Sequence, residues 1–128
     1  MRDLQARTKQ FALDMIRLCA QLPQKQEYWI ISKQVMRSAT SVGANYRSAC
    51  RAKSKADFIN KMSIVEEEAD ESAYWLELLE ELGMRQDQEL QRLKVRLISW
   101  SLLWLHQRKP HEEISNDECR VEKSTFAL

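Results

Sequence analysis

Glycine and proline are nearly missing from this chain, two of each in 128 residues. A sheet domain of this length needs a turn signal every ten residues or so, so an all-β or mixed sheet fold is excluded and an all-α fold is expected. Cysteine is sparse and odd in number. Cys19, Cys50 and Cys119 include no CxxC pair, which excludes a disulfide framework and a cysteine-based zinc site and leaves reduced thiols as the expectation. Histidine is limited to His106 and His111, and no Glu-x-x-His pair exists, so the ligand set of a di-iron helical bundle is absent. Glycine-rich phosphate loops and a histidine placed as base to a serine or cysteine are missing as well. Neither a catalytic residue nor a metal or cofactor is expected, and the chain reads as a non-enzyme. No apolar run approaches the roughly 18 to 20 residues that span a bilayer, and MRDLQARTKQ lacks the apolar stretch of a signal peptide. A cytoplasmic protein without membrane contact follows as the expectation.

What is present is helical periodicity. Leu4, Phe11 and Leu18 recur every seven residues, with Met15 and Leu22 interleaved, behind a capping Asp3 and ahead of Pro23, which ends the segment. A second helix is expected from about Glu27 to Lys53, its inward row being Tyr28, Ile31, Val35, Ser38, Val42, Asn45 and Ala49. The run Ser38 to Asn45 consists of small and poor helix formers, so a neighbour must approach closely and packing must hold the helix there, with Gly43 marking a bend. Ser54 and Asp57 have the spacing of a capping box and open a third helix whose stripe is Phe58, Met62, Val65, Ala69, Ala73 and Leu76, closed by Gly83. A fourth begins near Asp87 and carries Leu90, Leu93, Leu97, Trp100 and Trp104, with Ile98, Leu102, Leu103 and Leu105 widening the apolar arc. Short connections make this an antiparallel up-down-up-down four-helix bundle over 1–108, with a polar, loosely ordered tail over 109–128. The final arc is wider than one core requires, so self-association is expected, with Trp75, Trp100 and Trp104 as apolar interface residues.

Charge is segregated along the chain. Residues 1–61 carry twelve Lys/Arg against four Asp/Glu, whereas residues 62–91 carry one basic residue against ten acidic ones. Lys33, Arg47, Arg51, Lys53 and Lys55 are candidate phosphate contacts to RNA or DNA on a basic face of the second helix. The alternative is pairing with the acidic third helix, in which Arg37, Asn45, Glu66 and Glu67 are candidate interhelical or intersubunit polar contacts. Asn45, on the inward row, is expected to fix register by bonding a neighbouring helix.

Several local patterns recur together: Arg37 followed by Ser41-Val42-x-Ala44-Asn45, the Ser-Lys-x-Asp-Phe turn at 54–58, Glu66 to Ala69, and Trp75-Leu76-Glu77-Leu78. With FALDMIRLCAQLP in the first helix, they make the chain resemble the four-helix-bundle family encoded in intervening sequences of large-subunit ribosomal RNA genes. The likeness covers most of the stretch from Met1 to Arg108. It implies an up-down bundle that assembles into a cyclic homopentamer and carries no catalytic residues. A basic relative of that family, the accessory variability determinant of diversity-generating retroelements, associates with a reverse transcriptase and nucleic acid. This chain differs from it in being nearly neutral, and Gly43 stands where many members have proline.

Overall fold

Asp3 starts the fold: its carboxylate accepts the Ala6 N–H at 3.1 Å and opens α1, Leu4–Ala20. The computed structural model describes residues 3–107, and side chains as far as Ser101. After the Pro23 corner, α2 spans Gln26–Ala49, and α3 spans Lys55–Leu79. Ser54 caps α3 by accepting the Asp57 N–H at 3.1 Å, while the Asp57 carboxylate reaches back past Ser54 to the Lys53 N–H at 3.2 Å. A π-helical turn, Glu80–Met84, continues α3. Asp87 accepts the Leu90 N–H at 2.9 Å and starts α4, Gln88–Gln107. The described residues form four helices and no strand. The expected tail over 109–128 and the side chain of Trp104 lie outside the described residues.

α2 packs against α1 and α3, and α4 packs against α3 and α1. The core that they share takes one face from each helix, including Phe11, Met15, Val35, Val42, Val65, Leu76, Leu90 and Leu93. Where α2 is poorest in helix formers the contacts are closest. A Cβ built on Gly43 would lie 3.4 Å from the Thr8 backbone, so the small run exists to admit α1. Gly43 sits inside continuous α2 and marks this approach rather than a bend. On the other side, buried Ser72 donates to buried Ser38 at 2.8 Å across the α2–α3 seam. Ser38 in turn donates to the Val35 carbonyl at 3.2 Å, so the small polar pair is satisfied without water.

Three expectations need correction. Tyr46, not Asn45, occupies the buried row of α2, because the helix keeps its regular turn through Gly43 and brings Val42, Tyr46 and Ala49 inward together. Trp100, expected at an interface between chains, is only 1% exposed and packs edge-on against Phe11 with ring centroids 5.0 Å apart. It belongs to the protomer's own core, because α4 turns its Leu90–Leu93–Leu97–Trp100 row inward and leaves Val95 and Ile98 outside. Cys50, expected as a thiol, is disulfide-bonded, whereas Cys19 is free.

Gly83 has φ of 133°, a conformation that costs any L side chain strain. The Tyr28 hydroxyl donates to the neighbouring Leu82 carbonyl at 3.1 Å and fixes this corner against α2. Replacing Gly83 by alanine is expected to destabilise by about 1 to 2 kcal/mol, from backbone strain alone. Urea denaturation measures the loss, and an unchanged midpoint would contradict the strained conformation. The added Cβ would be 3.6 Å from the Tyr28 hydroxyl, so steric conflict is not the cause.

Candidate functional site

One group of polar side chains that joins elements lies on the α2–α3 seam. Arg37, half-exposed, reaches from α2 to Glu68 at 3.3 Å and Glu71 at 2.5 Å on α3. Those two carboxylates are three residues apart and share the flank of α3 that also presents Ser72 to Ser38. Trp75, half-buried, donates its indole N–H to Glu71 at 3.3 Å and meets Tyr74 edge-on at 5.0 Å. The Arg37 hydrogen bond holds the Glu71 carboxyl below its ordinary value. Burial pushes Glu68 the other way, upward, against the attraction of Arg37.

The opposite shifts set the sign of the pH response. Glu71, being depressed, contributes stability that is present above its unfolded pKa and is lost as pH falls through its folded one. Glu68, being raised, opposes folding while it is ionised and ceases to do so once protonated. Replacing Arg37 by methionine is therefore expected to move the Glu71 titration upward toward the ordinary carboxylate range. Carboxyl-carbon NMR follows it directly, and an unmoved Glu71 would show that Arg37 is not its partner.

The remaining candidates separate into two groups. Asn45 donates to the Ser41 carbonyl at 2.8 Å within its own helix. Glu66 is half-buried and Glu67 exposed. Lys33 lies over the Trp29 ring with Nζ 3.7 Å from its centroid. Arg47, Arg51, Lys53 and Lys55 are exposed, and their side chains form no ion pair among the described residues. Sequence reading also missed Asp14, which receives Arg96 of α4 at 2.7 Å and fastens α1 to α4. Burial pushes its carboxyl up, but the hydrogen bonds from Gln10 and Arg96 outweigh that and leave it lowered. Residues 82 positions apart carry no local signal that could have found this pair.

An open depression of about 560 Å³ at the α1–α2 corner is lined by Cys19, Leu22, Pro23, Tyr28 and Trp29. Burial raises the Cys19 thiol to about 11, so it is protonated and unreactive at neutral pH. Among the described residues no group of three His, Cys, Asp or Glu side chains could hold a metal ion. No described helix is long and apolar enough to cross a membrane.

The sequence pattern of the 23S rRNA-intervening sequence protein family matches residues 3–103. The chain belongs to that family. The match spans all of α1, α2 and α3 and most of α4, so the 23S rRNA-intervening sequence protein unit is the four-helix fold itself. A similar crystal structure at 1.70 Å resolution is that of a protein of unknown function from the S23 ribosomal protein family of Bacteroides thetaiotaomicron. It is 36% identical, with a TM-score of 0.70, over 77% of this chain and 92% of that one. No curated protein matches the chain.

Proposed function

We propose that the protein is a non-enzymatic cytoplasmic scaffold or binding protein that works as a cyclic homopentamer of antiparallel up-down four-helix bundles. The antiparallel sense is supported by how contacts run along α1 and α2: Thr8 meets Gly43 whereas Cys19 meets Ser32. The observation that carries self-association is apolar side chain left outside the protomer. Trp29, Tyr74, Val95 and Ile98 are 52–64% exposed on helices whose inward rows are already filled. Sedimentation of the full chain tests the reading: a species several times the 15.1 kDa chain mass is expected, and a single-copy species at micromolar concentration would remove it.

A second reading, an accessory protein that binds RNA or DNA, is favoured by the exposed Arg47, Arg51, Lys53 and Lys55, whose side chains form no ion pair among the described residues. Electrophoretic retardation of RNA that weakens steeply with salt, and that charge reversal of Lys53 and Lys55 abolishes, is expected on this reading. Absence of retardation at low salt would dismiss it.

A further inference from the structure

Two exposed helix stripes of opposite charge have matching lengths. On α2, Lys33, Thr40 and Arg47 follow one another at seven-residue intervals and are all exposed. On the outer face of α3 and its π-helical continuation, Glu67, Tyr74 and Glu81 do the same. Fourteen residues at 1.5 Å each make both stripes about 21 Å long. Each is charged at its ends, basic on α2 and acidic on α3. At the middle, α2 offers a small residue, Thr40, and one turn on Ala44, where α3 offers the half-exposed Tyr74 ring. Asp70 and Glu77 flank that ring and add to the acidic stripe.

These stripes cannot meet within one chain. Ser38 and Ser72 mark the α2–α3 contact, and Thr40 and Tyr74 each lie two residues beyond, about 200° around their helices. Both stripes therefore look away from the seam and from each other. Glu67, Asp70, Glu77, Glu81 and Arg47 form no ion pair among the described residues, and Lys33 is engaged only by the Trp29 face.

We propose that the α3 stripe of one copy docks on the α2 stripe of a second copy, Tyr74 seating over Thr40 and Ala44 between two sets of ion pairs. The partner is thus a second copy of this chain, and this inference rests on the self-association proposed above. Two different surfaces are joined, so the contact is head-to-tail and closes into a ring when successive rotations complete a turn. Because the ionic ends are exposed, salt weakens the contact.

Three full-length variants test the arrangement by solution mass, with circular dichroism to confirm folding. The chain with Glu67→Lys and Glu77→Lys, and the chain with Lys33→Glu and Arg47→Glu, are each expected to fall to the mass of a single protomer. The chain carrying all four changes is expected to regain the wild-type assembly. Either double variant keeping the wild-type mass would overturn the arrangement while leaving self-association standing. A dissociated fourfold variant would overturn charge complementarity as its basis, and a monomeric wild type would overturn both proposals. Loss of RNA retention with the assembly intact in the α2 variant would assign that stripe to nucleic acid instead. Should a charge variant fail to fold, the chain with Ala44→Cys and Tyr74→Cys serves: mild oxidation is expected to give a ladder of covalent multimers. No ladder beyond that of the Ala44→Cys control would refute the docking.

Discussion

Replacing Trp100 by alanine is expected to lower stability by about 3 to 5 kcal/mol, which for a domain of this size is a fall of roughly 10 to 20 °C in unfolding midpoint. The indole is almost wholly enclosed and meets Phe11 edge-on, so its removal takes away both buried area and an aromatic pair, and leaves a cavity between α1 and α4. Typical domains are stable by only about 5 to 15 kcal/mol, so this change consumes a large part of the margin. Thermal unfolding at fixed protein concentration measures it. A loss below about 1 kcal/mol would mean that Trp100 does not fill the core, because truncating a buried tryptophan does not come so cheaply.

Gly43→Leu is expected to destabilise by about 3 kcal/mol, whereas Gly43→Ala stays near neutral. A single Cβ reaches ordinary contact distance from Thr8 and gains helix propensity of about 1 kcal/mol over glycine. The three further carbons of leucine meet the α1 backbone, which can yield only by moving the whole helix outward from Phe11 and Met15. Chemical denaturation of both variants separates the contributions. Equal stability of the leucine and alanine chains would contradict the close α1–α2 approach.

Helix boundaries were legible wherever a specific side chain makes them. Asp3, Pro23, Ser54 and Gly83 each have a local mechanism, and each sits where that mechanism places it. The close approach at Gly43 was legible too, because a run of small residues has no other use in a helix. Facing was harder. Asn45 and Tyr46 are adjacent, and periodicity cannot choose between them in a run whose apolar signal is weak; Tyr46 goes inward because its ring fills space that an amide would leave empty and unsatisfied. On α4 periodicity places Trp100 on the row of Leu90, Leu93 and Leu97 with Ile98 beside it, but an arc this wide does not show which side faces the protomer's own core; packing turns Trp100 in and leaves Ile98 out. Charge segregation was visible along the chain, but the partners Arg37 selects, Glu68 and Glu71, depend on the relative rotation of α2 and α3. Asp14 with Arg96 depends on α4 returning beside α1, which no local pattern encodes.

The copy number of the intact protein tests the account most directly, and native mass spectrometry at low micromolar concentration and modest salt reads it. The expected spectrum is dominated by five copies of the 15.1 kDa chain, giving way to single copies as salt is raised before ionisation. A spectrum of single copies at every salt concentration would contradict it, since Trp29, Tyr74, Val95 and Ile98 would then face water in the working protein.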